Sequence, residues 1–122
     1  MQIYVKVILE DQDGQFFMGS GLVSLLEGID RNRSVRAAAR EMSLSYPKAL
    51  RMIRTVERGL GAEIVTRRKG GHERGGAGLT PQGKAFLRRF ERLQQRVRRF
   101  ADGAFARAFD EPLAGRAPRR AR

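Results

Sequence analysis

The sequence contains no cysteine and no tryptophan, and one histidine occurs among its 122 residues. Without cysteine, the chain forms neither disulfides nor thiolate metal sites. No apolar run approaches the roughly 18 residues that a membrane-spanning helix needs, and no secretory leader is evident. Because 41% of the residues are hydrophobic and 31% are charged, we expect one folded cytoplasmic domain with an appendage and no membrane partner.

Residue sets that carry catalysis or hold metals are also missing. The one histidine, His72, lies in a glycine-rich stretch beside Glu73, and a single imidazole without further ligands is a poor metal site. The sequence shows no serine-histidine-aspartate order, no paired carboxylates in an apolar setting and no phosphate-binding loop. We therefore predict that the protein is not an enzyme and uses no metal or cofactor, and no small-molecule effector is evident.

Positive charge is what the sequence has in excess. It carries 25 basic and 13 acidic residues, a net charge of +12, and 21 of the basic residues are arginine. Residues 1–33 carry a net charge of −2, residues 34–82 of +6 and residues 83–122 of +8. A GC-rich genome also raises arginine content, but it does not explain this placement. Two basic blocks after an acidic start are typical of a protein that binds a polyanion.

The start of the chain predicts a β-hairpin followed by a helix. Residues 3–9 alternate with the period of a strand, residues 11–14 have turn chemistry, and residues 16–18 return, so the hairpin spans 2–18. Ser20 is then a candidate N-cap for the first helix. The apolar residues of that helix, at helical spacing, are Leu22, Leu25, Leu26 and Ile29.

The next segment has the pattern of a helix-turn-helix: a short helix, a three-residue turn and a longer helix over about 46–60. The residues that mark the boundaries are Ser34, Ser45, Pro47, Gly59 and Gly61. The small Ala38 and Ala39 allow close helix–helix approach. The apolar face of the longer helix consists of Ala49, Met52, Ile53, Val56 and Leu60. Its outer face carries Tyr46, Lys48, Arg51, Arg54, Thr55 and Arg58.

A wing is predicted after the helix-turn-helix. Residues 63–68 have the pattern of a strand, residues 69–78 form a loop with five glycines, and Leu79 and Thr80 form a short return strand. Loop glycines allow the backbone to approach a phosphate ridge closely. The basic residues predicted to contact phosphates or the minor groove there are Arg67, Arg68, Lys69 and Arg74.

From Pro81 a long helix is predicted to run to residue 109, with apolar residues at coiled-coil spacing. The predicted seam consists of Phe86, Phe90, Leu93, Val97 and Phe100. A domain of this size cannot bury all of these side chains in its own core. We therefore predict a homodimer in which a second copy covers the seam and Leu22 and Leu26 also contribute to the interface. The arginines between 88 and 99 are either a solvated face or a source of non-specific phosphate attraction. The proline, glycine and arginine content of residues 110–122 predicts a disordered basic tail.

Several of these residues together resemble the N-terminal DNA-binding domain of the molybdate-responsive ModE regulators, which is similar to the winged helix of LysR-type regulators. The matching residues are Asp13, Gly14, Leu25, Leu26, Ser34, Val35, Ala38, Ala39, Met42, Ser45, Tyr46, Lys48, Ala49, Gly70, Gly71, Gly75, Gly76, Leu79, Thr80 and Gly83. The resemblance covers residues 10–100. It implies a winged helix that dimerises through its first and last helices, with the helix from Tyr46 in the major groove.

The sequence departs from the ModE pattern at three places. Pro47 stands where such proteins usually have a basic residue, and Leu50 where they usually have tryptophan. Residues 72–74 interrupt the glycines of the wing. The chain stops where the molybdate-binding domain would begin, so we expect a stand-alone DNA-binding half without molybdate responsiveness.

The predicted class is therefore α+β, a winged helix-turn-helix domain over 1–80 with a dimerisation helix over 81–109. The predicted function is sequence-specific regulation of transcription on double-stranded DNA. The predicted DNA contacts are Ser34, Arg36, Ser45, Tyr46, Lys48, Arg51, Arg54, Thr55, Arg58, Arg67, Arg68, Lys69 and Arg74. Two alternatives remain: a winged-helix module that docks onto another protein, and an architectural or RNA-binding protein for which the basic tail is the hint.

Overall fold

The computed structural model describes residues 1–66, 76–111 and 113. Its elements in chain order are β1 (Leu9–Glu10), β2 (Phe16–Met18), α1 (Ser20–Asn32), α2 (Val35–Glu41), α3 (Tyr46–Leu60) and α4 (Pro81–Ala108). The predicted helix over 46–60 is thus confirmed residue for residue, and the long helix ends within one residue of its predicted boundary. No described helix is both long enough and apolar enough to cross a membrane.

The N-terminal hairpin exists, but its first strand is much shorter than predicted. β1 pairs antiparallel with β2, and Leu9 lies opposite Met18. The carboxylate of Asp11 closes the turn by accepting hydrogen bonds from the backbone of Asp13 and Gln15, each at 2.9 Å. Residues 3–8 are outside any strand. Alternating side chains indicate that one face is covered, not that the backbone is paired, and part of this segment is covered by a helix.

That covering helix is α4. Residues 3–5 line a shallow cleft together with Arg98, Ala101 and Asp102 of α4. Residues 3–5 therefore lie beside the C-terminal half of the long helix, while Val7 and Leu9 pack against the core.

One predicted cap is wrong, and only one of the two glycines predicted to end the helix over 46–60 does so. α1 begins at Ser20 with Gly19 in the N-cap position and no side-chain cap, so Ser20 is the first helical residue and not the cap. Gly59 lies inside α3, which ends at Gly61, where the left-handed backbone (φ 70°) suits a residue without a β-carbon. Glycine lowers helix propensity but does not by itself end a helix that packs well.

The core is formed by one face of each of α1, α2 and α3, together with Met18, Ile64, Val65 and the start of α4. Gly28 and Ala38 allow α1 and α2 to approach closely, since a β-carbon on Gly28 would lie 3.0 Å from the β-carbon of Ala38. The predicted role of the small residues in α2 is confirmed: Ala38 and Ala39 are each 1% exposed.

α4 has 28 residues and is about 42 Å long. Thr80 caps its N-terminus: the hydroxyl accepts a hydrogen bond from the Gly83 amide at 2.9 Å and donates one to the Glu63 carbonyl at 2.7 Å. The buried residues of the helix lie in its first half, ending at Gln94. The C-terminal half therefore projects past the core.

The predicted dimer seam must be corrected for three residues. Leu22, Leu26 and Phe90 are at most 2% exposed within the single chain, so they belong to its own core and are not free to face a partner. The reason is that α1 is the central helix of the domain, and the helices and β2 around it already cover its apolar face. Leu93 (41% exposed) and Phe100 (73% exposed) remain open. Val97 between them and Phe86 two turns before Leu93 are half-buried.

Candidate nucleic-acid interface

Two serine caps fix the helix-turn-helix. The Ser34 hydroxyl accepts a hydrogen bond from the Ala37 amide at 3.0 Å, and the Ser45 hydroxyl accepts one from the Lys48 amide at 3.2 Å. Between the helices, Ser43 adopts a left-handed backbone (φ 57°). The predicted capping roles of both serines are confirmed. Since caps satisfy amides that a helix start leaves unpaired, they define where α2 and α3 begin.

α3 separates an apolar and a basic face. Ala49, Ile53 and Val56 are fully buried, and this anchors the helix in the core. The predicted contact residues on the outer face are exposed: Lys48, Arg51, Arg54 and Arg58. Four cations on one exposed helix face give it a strongly positive potential.

Thr55 differs from the other predicted contacts. It is half-buried, and its hydroxyl donates a hydrogen bond to the Arg51 carbonyl at 2.8 Å. The hydroxyl hydrogen is therefore used within the helix, and the oxygen lone pairs and the methyl group are what Thr55 can offer to a ligand.

Arg36 and Tyr46 form a contact that the sequence did not indicate. The guanidinium carbon of Arg36 lies 4.0 Å from the centre of the Tyr46 ring. Such a cation–π contact joins the first turn of α2 to the first residue of α3. Both residues were predicted to contact DNA separately, and the structure brings them together as one stacked unit.

The base of the predicted wing is well defined. Val65 and Leu79 form an antiparallel bridge, next to which the Thr66 amide donates to the Gly78 carbonyl at 2.8 Å and the Gly78 amide donates to the Thr66 hydroxyl at 3.0 Å. Instead of the predicted strand over 63–68, the described residues up to 66 show this single bridge. The predicted contacts of the wing, Arg67, Arg68, Lys69 and Arg74, lie outside the described residues.

Arg33 is a basic residue at this site that sequence reasoning missed. It ends α1 in a left-handed conformation (φ 59°), its carbonyl accepts a hydrogen bond from the Ala77 amide at 3.2 Å, and its guanidinium lies over Gly78. The residue thus joins α1 to the wing base and places a cation there. The polar stretch at the end of α1 was the available signal, but nothing local indicated the contact with residues 77 and 78.

Two acidic residues near this surface, Glu41 and Glu57, already have partners. Glu41 forms an ion pair with Arg31 at 2.7 Å and accepts a hydrogen bond from Asn32 at 3.1 Å; these contacts lower the pKa of Glu41, with Asn32 the larger cause. The carboxylate of Glu57 accepts hydrogen bonds from the amides of residues 64 and 65, which ties α3 to the wing base. Both carboxylates thus have partners, while the cations of α3 are exposed.

Comparison with known proteins agrees with this geometry. Residues 22–84 match the family described as bacterial regulatory helix-turn-helix proteins of the LysR family. The molybdenum-pterin-binding protein MopB of Rhodobacter capsulatus is 39% identical over 80 residues, which make up 66% of this chain and 30% of that protein. The chain thus spans less than a third of the length of this relative.

Solved structures with the same fold include complexes with DNA. The DNA-binding domain of CbnR, solved as a DNA complex, is 25% identical with a TM-score of 0.57, over 75% of this chain and 99% of that one. Vibrio fischeri DarR in complex with DNA is 22% identical with a TM-score of 0.54, over 76% of this chain and 29% of that one. The winged helix-turn-helix class and the LysR-type resemblance predicted from the sequence are therefore confirmed.

Proposed function

The chain belongs to the LysR family of bacterial regulatory helix-turn-helix proteins, and from this premise we propose that it regulates transcription by binding duplex DNA sequence-specifically as a homodimer. The observation that carries the proposal is the exposed basic face of α3, whose opposite face is anchored in the core. The serine caps at Ser34 and Ser45 fix where α2 and α3 begin, and docking in the major groove uses the second helix of such a pair.

The parts of the site have distinct roles in this proposal. Arg51 lies on the side of α3 directly away from Ile53, and its planar fork suits the two acceptors of a guanine. The wing base, with Arg33, approaches the neighbouring backbone, where contacts fix the register but do not read sequence. The stacked Arg36–Tyr46 pair flanks the start of the reading helix.

The homodimer rests on the exposed residues of α4. Leu93 and Phe100 are seven residues apart, which is two turns of helix, and Val97 lies between them on the same side. Large apolar side chains exposed on one side of a helix are stabilised when a second copy covers them. A two-fold partner also sets two reading helices at a fixed spacing along the DNA.

A fluorescence-anisotropy titration with duplex DNA over a series of salt concentrations tests this function. If Lys48, Arg51, Arg67, Arg68 and Lys69 each neutralise a phosphate in both protomers, log K against log salt has a slope on the order of −6 to −9. A slope near −1 or −2 would favour the protein-docking alternative. Selection of sites from a random duplex pool is the companion measurement, and a pool that shows no enriched sequence contradicts specific reading.

A further inference from the structure

α4 carries a row of arginines on the side turned away from the domain core. Arg88, Arg92, Arg96 and Arg99 are all exposed and are spaced four, four and three residues apart. At 3.6 residues per turn they lie within roughly 80° around the helix axis and extend over about 16 Å. The buried residues of this helix, such as Leu87 and Phe90, lie on the opposite side by the same geometry. We call these four arginines, with the exposed Gln95 among them, the outer stripe.

The charges of the outer stripe are unpaired in the part of the chain that the structure describes. The ion pair between Arg31 and Glu41 involves none of them. The two acidic residues of α4 face other neighbours: Glu91 hydrogen-bonds with Glu27 of α1, and Asp102 lines the cleft beside residues 3–5. Like charges three and four residues apart destabilise an isolated helix. A polyanion laid along the stripe removes this repulsion.

The composition of the outer stripe identifies the kind of polyanion. Proteins that bind single-stranded nucleic acid interleave aromatic rings with cations so that bases stack on them, and the stripe contains no aromatic residue. Protein interfaces have an apolar centre, and the stripe contains no apolar side chain. A row of arginine guanidinium groups without aromatic or apolar side chains suits the regularly spaced phosphates of a duplex backbone.

The stripe is distinct from the reading surface. The basic face of α3 is opposite the residues that α3 buries in the core, and the stripe is opposite the residues that α4 buries in the same core. Two basic faces on different helices thus point outward from one core.

We propose that the outer stripe is a second duplex-binding surface, through which a dimer seated on its operator by α3 holds another duplex segment by its phosphates. This inference rests on the proposed function. It assigns to the protein a bridging activity that is independent of sequence, in addition to reading one site.

A bridging assay with full-length protein tests the proposal. An operator duplex is immobilised on beads, protein is added, and the retention of a second, fluorescent duplex of unrelated sequence is measured at about 0.1 M salt. The variant is Arg92→Gln/Arg96→Gln/Arg99→Gln. The matched control, Arg40→Gln/Arg98→Gln/Arg107→Gln, removes the same charge from exposed positions off the stripe. Circular dichroism checks that both variants are folded.

We expect the stripe variant to retain about tenfold less of the second duplex while its operator affinity changes less than about threefold, and the control to keep both properties. Three results would overturn the proposal. The stripe variant bridges as well as the wild type, the control loses as much bridging as the stripe variant, or single-stranded RNA is retained more tightly than duplex. Failure of the wild type to bind the first duplex rejects the proposed function itself. Binding of the first duplex without the second rejects the stripe alone.

Discussion

Gly83, in the first turn of α4, lies against the carbonyl group of Ile64 so closely that a β-carbon placed on it would collide with the oxygen and lie 2.9 Å from the Ile64 Cγ2. The same carbonyl accepts a hydrogen bond from the Thr80 amide at 2.8 Å. The long helix is therefore attached to the wing base at a point where no side chain fits.

We expect Gly83→Ala to destabilise the domain by about 2–3 kcal/mol, because the obstructing atom is backbone and cannot move without breaking the Thr80 hydrogen bond. Urea unfolding monitored by circular dichroism measures the change. Gly103→Ala is the control: its β-carbon would meet the flexible end of Arg107 at 3.5 Å, and alanine stabilises a helix interior by up to about 1 kcal/mol. Equal midpoints for the two variants would contradict this description of the attachment.

A carboxyl pair between α1 and α4 makes stability depend on pH. The hydrogen bond with Glu91 is the largest cause of a raised pKa at Glu27, followed by burial and repulsion from the Glu91 charge. A carboxyl whose pKa is higher in the folded state contributes stability that is complete below its ordinary value of 4.5 and is lost as the pH rises through the folded value. We therefore expect Glu27→Gln to gain stability over the wild type as the pH rises from about 4 to 7.

The contribution of Glu41 to stability depends on pH in the opposite direction. Its pKa is lowered by the hydrogen bonds from Asn32 and Arg31, so its contribution is present above 4.5 and is lost as the pH falls through the folded value. Glu41→Gln should therefore be less stable than the wild type at neutral pH and match it in acid. Urea unfolding over the same pH series gives the difference in the free energy of unfolding between each variant and the wild type. The two differences should change with pH in opposite directions. If they change in parallel, the Glu27–Glu91 pair is not the source of the pH dependence.

Local signals were sufficient for the reading helix and insufficient for its neighbours. Ser45, Pro47 and an apolar stripe specify α3 within a few residues of chain, so its bounds and its basic face were predictable. The position of Arg33 over Gly78 depends on contacts across more than forty residues of chain, for which no local pattern exists. A sequence shows that a residue is apolar but not which neighbour covers it, and this is why Leu22 and Leu26 were assigned to a partner instead of the core.

The same limit applies to the N-terminal segment. Its alternation predicts a strand from residue 3, but residues 3–8 are outside any strand. Residues 3–5 instead lie beside α4, about ninety residues later in the chain, and Val7 packs against the core. Period alone does not distinguish a strand in a sheet from an extended segment on a helix. The pairing of Arg36 with Tyr46 was hidden for a similar reason, since it joins two helices across their turn.

Arg51 is predicted to read a base and not only to attract phosphate. Arg51→Lys keeps the charge but loses the fork that binds the two acceptors of a guanine. We expect it to lose about 1–3 kcal/mol on the selected site and to flatten base preference at one position per half-site, with the slope of log K against log salt unchanged. Lys69→Ala should instead weaken all sequences alike and reduce that slope. If the two variants keep the same selectivity, the assignment of Arg51 as the reading residue is wrong.

Dimerisation through α4 is predicted to be a condition for operator reading. Leu93 and Phe100 are exposed in the single chain, so Leu93→Asp/Phe100→Asp leaves the core untouched and should give a folded monomer. Two apolar side chains left in water instead of an interface forfeit about 1.5–3 kcal/mol each, and a charge at each position opposes association further. Since one half-site then binds alone, operator affinity should fall to the level of unrelated duplex.

Phe90→Ala is the contrasting variant, because it removes a side chain that is 2% exposed and should lower the stability of the domain by about 3–5 kcal/mol. Analytical ultracentrifugation at micromolar concentration decides the case. A wild type that sediments as a 13.7 kDa species would contradict the predicted homodimer. If the Leu93→Asp/Phe100→Asp variant is still a dimer, the interface lies elsewhere.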